Sequence, residues 1–299
     1  MGYMIESLYD HVQPPGIYFN MPNEVYHADP SLSNSGMGEL NKNPRKYWYK
    51  SPMNPNREEL DTQALKQGKV LHTLLLEPHK FHEEWQVKKG VKNTTVAGMV
   101  GEGAYNDLQN AVLELRKDKI ISGLFSNGYP EVSIFWRDIE TGVPCRARMD
   151  YLSLYLVADL KGVADSSDYS LGYSIADYGY YRQAAFYLDG IAEVKNLIEK
   201  GTGCVSLCPN ETWLNDFLAN VHNKFAFVWQ EKTPPYITRA DQLCERTIEL
   251  GTDHFKRALH AFRSYFHDYG SNPWPSGYEG RVGLIQLDDL PAKINYMAL

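Results

Sequence analysis

Hydrophobic residues in the first part of the chain recur at helical spacing, between segments that have no period. The pattern predicts a helix that begins at Ser33 or Ser35, where a hydroxyl can cap it, and that ends before Pro44. Helices are also predicted over residues 61–76 and 104–118. Residues 1–30 are expected to be irregular, residues 87–103 to form a mobile surface loop, and residues 201–222 fit neither pattern.

The middle of the chain has the period of two that is typical of β-strands. Strands are predicted over residues 131–138, 143–150 and 154–161, with a turn at Glu140-Thr141-Gly142. A long helix is predicted over 173–200, a strand pair over 224–230 and 236–238, and a final helix over 239–269. Strands preceded and followed by helices predict an α/β fold whose central sheet is covered by helices.

Alternation along two of these strands places charged side chains on common faces. Arg146, Arg148 and Asp150 share one face of their strand, and Asp159 and Lys161 share a face at the end of the next. If the two strands form a hairpin, Asp150 and Asp159 approach each other, and close carboxylates repel unless a cation lies between them. The pair therefore predicts a site for a hard divalent cation, Mg²⁺ with Mn²⁺ as a substitute.

Such a site suits phosphodiester hydrolysis, because the metal polarises a phosphoryl oxygen and activates water, while Lys161 can neutralise developing charge. The Asp159-x-Lys161 pattern is also that of a solvated ion pair at a strand end. His72, which lies four residues after Gly68 on one helical face, is either a ligand or a core histidine. Gln183 and Tyr187 are likewise either functional or an ordinary polar edge and core aromatic.

The order of these residues resembles one group of nucleases. Gly68-x-x-x-His72, Asp150, Asp159-x-Lys161 and Gln183-x-x-x-Tyr187 follow one another as in the RecB-type branch of the PD-(D/E)xK superfamily. Within that branch the chain resembles the RecE (exonuclease VIII) C-terminal nuclease family, over about residues 17–295. The stretches that carry this likeness include Ser33-x-Ser35, Asn43-Pro44-Arg45-Lys46-Tyr47, Val25-Tyr26-His27, Leu71-His72, Trp274-Pro275 and Leu290-Pro291.

The resemblance implies a fold and a set of roles. The fold would be PD-(D/E)xK nuclease-like, with a central mixed sheet flanked by helices. The metal ligands would be His72, Asp150, Asp159 and the Leu160 carbonyl, and Lys161 would be the catalytic lysine. Gln183 and Tyr187 would lie on the helix that positions the DNA end or the metal-bound water. Glu131 begins a strand where the superfamily often has a further acid, but its parity does not settle whether it faces the site.

Composition sets limits on this hypothesis. The 299 residues, 43% of them hydrophobic, fit a single nuclease domain with an N-terminal part over 1–60, a catalytic core over 61–238 and a C-terminal helix and tail over 239–299. With neither a membrane-length apolar run nor a secretory pattern, a cytoplasmic protein is expected. The net charge of −7 opposes nucleic-acid binding, although a bound metal inverts the local sign of an acidic site. The four cysteines do not bracket the domain as in an iron–sulfur nuclease.

The leading hypothesis is a Mg²⁺-dependent exodeoxyribonuclease that degrades linear double-stranded DNA from 5′ to 3′ and leaves 3′ single strands. The resemblance alone implies this polarity, a single-strand annealing partner in a phage or prophage recombination system, and a homo-oligomer of three or four subunits. In such a ring, residues 87–103 could line the channel and the helix at 239–269 could pack against a neighbour. An endonuclease or nickase, and a non-catalytic DNA-binding protein, remain alternatives.

Overall fold

The computed structural model describes residues 2–58 and 62–286. Within them the strands are, in chain order, β1 (Gly16–Tyr18), β2 (Gln86–Lys88), β3 (Met99–Gly101), β4 (Gly128–Arg137), β5 (Pro144–Ser153), β6 (Leu156–Val163), β7 (Cys204–Ser206), β8 (Lys224–Glu231) and β9 (Thr238–Gln242). Seven of them form a mixed sheet in the order β7-β1-β4-β5-β6-β8-β9, and β2 pairs with β3. The central mixed sheet confirms the predicted α/β fold.

The helices of the described residues surround this sheet. They are α1 (Asn23–Ala28), α2 (Asn34–Lys42), α3 (Pro44–Lys50), α4 (Gln63–Leu76), α5 (Phe81–Glu84), α6 (Glu102–Lys117), α7 (Lys119–Gly123), α8 (Asp168–Asp177), α9 (Tyr180–Glu199), α10 (Glu211–Ala219) and α11 (Glu245–Tyr269), with 3₁₀ turns at Ile5–His11 and Pro78–Lys80. Ser33 caps α2 by accepting a hydrogen bond from the Gly36 N–H, as the sequence predicts.

Two apolar cores lie on opposite faces of the sheet. The larger core packs α9 against the strands and α11 against α9, through residues such as Trp136, Phe186 and Phe255. The smaller core packs α4 and α6 against the other face through Leu71, which meets Leu160 and Val228. Helices therefore cover both faces of the sheet. None of the described helices is both long and apolar enough to cross a membrane.

Strands β5 and β6 separate soon after their hairpin. Strand β5 pairs with β4 at nine positions, and β6 pairs with β8 at eight, but β5 and β6 pair only at Tyr151↔Ala158 and Leu152↔Val157. The pairing stops where Asp150 and Asp159 come next on the two strands. Beyond the separation, Leu32 forms an isolated bridge with Cys145 on β5. The gap between the strands is where the predicted site residues meet.

The predicted helices at 173–200 and 239–269 are wrong in their bounds. The first is interrupted at Gly179, whose φ of +66° is a left-handed conformation that favours glycine, so that α8 and α9 are separate. The second begins only at Glu245, because residues 238–242 form β9 along the edge of β8. Residues 239–242, which the sequence pattern assigns to the C-terminal segment, therefore belong to the sheet. Pairing with β8 outweighs their local helical spacing.

The segments predicted without secondary structure contain short elements. Residues 87–103 include parts of β2 and all of β3, which pair in parallel, and residues 1–30 include β1 and α1. Residues 201–222 contain β7, which pairs with β1, and α10. Strands of three residues are too short to show a period, so the sequence could not reveal them. The expected boundary at 60/61 and the Leu290-Pro291 pair lie outside the described residues.

Candidate active site

Three predicted residues meet in a cluster that could hold a metal ion. His72 on α4, Glu131 on β4 and Asp150 on β5 bring potential ligand atoms within 4.8 Å of one another. The Nδ1 atom of His72 lies 3.6 Å from Asp150 Oδ1 and 3.9 Å from Glu131 Oε1. All three side chains are partly buried, so the cluster opens toward the surface. One imidazole and two carboxylates are a plausible donor set for Mn²⁺ or Mg²⁺.

Glu131 joins this cluster through an irregularity in its strand. Its φ of +50° is unusual for a residue with a side chain, and costs about 1–3 kcal/mol. On β5, which pairs with this strand, Met149 and Leu152 both pack into the larger core. Strict alternation would place residues at an odd separation on opposite faces, so the alternation is broken between them. Strict alternation therefore could not have shown where Glu131 points, and the strand begins at Gly128, before the start predicted at Glu131.

Asp159 lies beside this cluster, almost completely buried. Its side chain is 1% exposed, and its Oδ1 accepts a 2.6 Å hydrogen bond from the Gln183 amide. The Lys161 ammonium forms an ion pair with Oδ2 at 2.6 Å, and Oδ2 has no other polar partner among the described residues. Asp159 and Lys161 thus share a face, as predicted, and Oδ2 faces a positive charge, the Lys161 ammonium.

The main chain of Leu160 holds two of the site residues in place. Its N–H donates a 2.7 Å hydrogen bond to Asp150 Oδ2, and its carbonyl lies 3.0 Å from His72 Nε2. A carbonyl can only accept, so Nε2 of His72 carries the proton, and Nδ1 is the nitrogen that faces the acids. The role of the Leu160 carbonyl as a metal ligand stays a prediction, since its oxygen here accepts from His72.

Burial and mutual repulsion shift the acid–base equilibria of the site. Burial, followed by the charge of Asp150, raises the pKa of Asp159 to about 6. Burial raises the pKa of Asp150 as well, against the opposing charges of His72 and Lys161. Burial alone would lower the pKa of His72, but the charges of Asp150 and Glu131 raise it to about 9. The ionised carboxylates are therefore stabilised by positive charge nearby, and a divalent cation would supply such a charge.

Helix α9 lines the site with three residues at helical spacing. Gln183 contacts Asp159, and Tyr187 lies one turn further on, packed against Phe225 with ring centroids 6.0 Å apart. Tyr180, which the sequence reasoning missed, places its ring 4.8 Å from the Lys161 ammonium. The spacing i, i+3, i+7 of these three residues was the signal that could have found Tyr180.

Comparison with known proteins agrees with this geometry. A family model described as a PDDEXK-like domain of unknown function (DUF3799) matches residues 33–200, which include the whole candidate site from His72 to Tyr187. A crystal structure of a candidate exonuclease from Eubacterium rectale has a TM-score of 0.54 at 15% identity, over 91% of this chain and 97% of that chain, which shows a shared fold. No curated protein matches. The chain belongs to the DUF3799 family of PDDEXK-like domains.

Proposed function

We propose that this protein is a metal-dependent DNA nuclease that acts as an exonuclease on linear double-stranded DNA. The observation that carries the proposal is the meeting of the His72–Glu131–Asp150 cluster with the Asp159–Lys161 pair where β5 and β6 separate. Three carboxylates and an imidazole can hold a catalytic metal, and a lysine beside them can act on a phosphate, so this set suits metal-dependent phosphodiester hydrolysis. Family membership and the shared fold support a nuclease.

The acids and the imidazole would hold the metal. His72, Glu131 and Asp150 offer ligand atoms within reach of one another, and Asp159 offers Oδ2, while the Leu160 carbonyl is a further candidate. A bound divalent ion would supply a Lewis acid for a phosphoryl oxygen and would lower the pKa of a water. The ion that we propose is Mg²⁺, and the imidazole nitrogen favours Mn²⁺ as a substitute.

Lys161 would act on the phosphate at the reaction step. The charges of Asp159 and Asp150 outweigh burial and raise its pKa, so the ammonium stays protonated. A protonated lysine can donate to a phosphate oxygen and neutralise the charge that develops in the transition state. Gln183 positions this pair, because its amide holds Asp159 through Oδ1 and leaves Oδ2 toward Lys161. Tyr180 would help to orient the ammonium through its ring, whose centroid lies 4.8 Å away.

The finer parts of the proposal rest on resemblance. Degradation from 5′ to 3′, release of 3′ single strands to an annealing protein, and assembly into a trimer or tetramer follow from the likeness to the RecE nuclease family. Helix α11 gives no support to a subunit contact through its apolar stripe, since Phe255, Leu259, Phe262 and Phe266 are buried within their own chain. A ring would need another surface.

Incubation of linear and closed-circular duplexes with Mg²⁺, Mn²⁺ or EDTA tests the proposal. An exonuclease degrades the linear duplex only when metal is present and leaves the closed circle intact. Cleavage of closed circles would support an endonuclease or nickase that uses the same site, and would contradict the exonuclease. Absence of cleavage with both metals would support a non-catalytic DNA-binding protein. Light scattering on the same sample tests the oligomer, and a monomer would contradict the ring.

A further inference from the structure

A buried arginine near the metal cluster lacks hydrogen-bond partners for two of its nitrogens. Arg146 on β5 is 7% exposed, and its Nε and Nη1 atoms are buried without a partner among the described residues. A guanidinium is always charged in a protein, and a buried charge without a partner is costly. The side chain is therefore placed to bind a negative group from outside the described residues.

The neighbouring arginine is used differently. Arg146 and Arg148 both lie over the ring of Tyr26, at 4.7 and 4.2 Å from its centroid. Arg148, however, donates hydrogen bonds to Ser133, to Asn23 and to the Met21 carbonyl. Arg148 therefore fixes the start of α1 to the sheet, while the nitrogens of Arg146 remain for a ligand.

The surroundings of Arg146 are positive in spite of the net charge of the chain. Partial burial and then the charges of Arg146, Arg148 and Lys69 lower the pKa of His27 to about 4. The nearby carboxylate of Asp29 accepts hydrogen bonds from the backbone N–H groups of residues 13 and 31, one on each oxygen. Two further acids act on this region: Glu131, which belongs to the candidate metal cluster, and Glu77, which acts on the pKa of Arg148. An anion that enters this region meets several cations.

This basic region adjoins the metal cluster. Arg146 precedes Asp150 by four residues, which is about 13 Å along an extended strand. Glu131 lies close enough to act on the pKa of both His72 and Arg148, so it is shared by the two regions. A DNA strand with one phosphate at the metal cluster would have another within reach of Arg146.

We propose that Arg146 binds a phosphate group of the DNA backbone, terminal or internal, beside the metal cluster. Tyr26 supports the guanidinium from one side, and the unpartnered nitrogens donate to phosphate oxygens. The inference rests on the proposed action on DNA. It goes further by naming a residue that holds the substrate rather than the metal.

The test is duplex binding in EDTA, where cleavage plays no part. A fluorescent duplex of about 20 base pairs, with either a 5′-phosphate or a 5′-hydroxyl, is titrated at several salt concentrations. Arg146→Met should weaken binding about 10- to 100-fold and reduce the slope of log K against log salt by about one. Arg137→Met is the matched control, because Arg137 also lies over a tyrosine ring, that of Tyr9, but is exposed. It should bind like wild type.

The outcomes separate the source of the phosphate. A loss confined to the 5′-phosphorylated duplex assigns Arg146 to the terminal phosphate, and an equal loss on both duplexes assigns it to an internal phosphodiester. A folded Arg146→Met protein that binds like wild type overturns the proposal, as does a wild-type protein that binds neither duplex. If Arg146→Met does not fold, Arg146→Lys replaces it, and binding unchanged from wild type then overturns the proposal, since one ammonium cannot place two separate nitrogens.

The same experiment separates this inference from the proposed nuclease function. A wild-type protein that binds duplex through Arg146 in EDTA but cuts nothing with metal would contradict the nuclease alone. A protein that cuts linear DNA with metal, and whose Arg146→Met variant binds normally, would contradict the Arg146 inference alone.

Discussion

The carboxylate of Asp150 accepts a 2.7 Å hydrogen bond from the backbone N–H of Leu160, so an acid of β5 takes the place of a main-chain partner for β6. The ladder between the two strands ends one residue earlier, at Tyr151↔Ala158. The backbone group freed by the separation is therefore satisfied by the side chain that the site needs. The separation of β5 from β6 and the position of the Asp150 carboxylate therefore depend on the same hydrogen bond.

Replacement of either aspartate by asparagine should abolish cleavage while the protein stays folded. Asp150→Asn keeps an oxygen that can accept from the Leu160 N–H, and Asp159→Asn keeps the volume of a buried side chain. Each change removes a ligand charge, so metal-dependent cleavage should fall by more than about a hundredfold. Initial rates on linear duplex are compared with circular dichroism of each variant. Asp216→Asn, at an exposed position of α10, is the control. A smaller loss would argue against a ligand role.

Lys161→Ala should lower turnover much more than DNA binding. The ammonium lies beside Asp159 and acts on charge that develops only in the transition state. Single-turnover rates and duplex affinity in EDTA measure the two effects separately. Lys224→Ala, at the exposed start of β8, should change neither. Normal turnover with weaker binding would instead assign Lys161 to the DNA backbone.

His72→Ala should reduce activity and change the preference between metals. Loss of the imidazole leaves only oxygen ligands, which suit Mg²⁺ better than the softer Mn²⁺, so the ratio of Mn²⁺- to Mg²⁺-supported rates should fall. Rates across a titration of each metal, together with a melting curve, provide the measurement. A variant that melts earlier but keeps its specific activity and metal preference would make His72 a core residue.

Lys256→Met should destabilise the protein at neutral pH and much less in acid. Burial alone would raise the pKa of Asp138, but hydrogen bonds from Lys256 and Thr141 lower it. The stabilisation by this carboxylate is therefore fully present above its unfolded pKa, near 3.8, and is lost as the pH falls from there through the lower folded pKa. Urea unfolding should show a loss of about 1.5–3 kcal/mol at pH 7 that begins to shrink only below about pH 4. Arg257→Met, exposed on the same helix, is the control, and a pH-independent loss would contradict the argument.

The sequence by itself determined the features that depend on local direction. Alternation along a strand put Asp159 and Lys161 on one face, and helical spacing put Gln183 and Tyr187 on one side of α9. These relations hold whatever the rest of the chain does, because the backbone geometry of a strand or helix fixes them. Residue type likewise predicted the cap of α2 at Ser33 and the turn near residues 140–142.

Only the tertiary structure decided what these faces meet. The place of Glu131 depends on a positive φ within its strand, and the short strands β1 and β7 depend on partners distant in the chain. The missing partners of Arg146 could not be read from its neighbours along β5 either. Contacts between segments far apart in sequence follow from packing and strand pairing across the whole fold, and a periodic pattern reports only the direction in which each side chain leaves its own backbone.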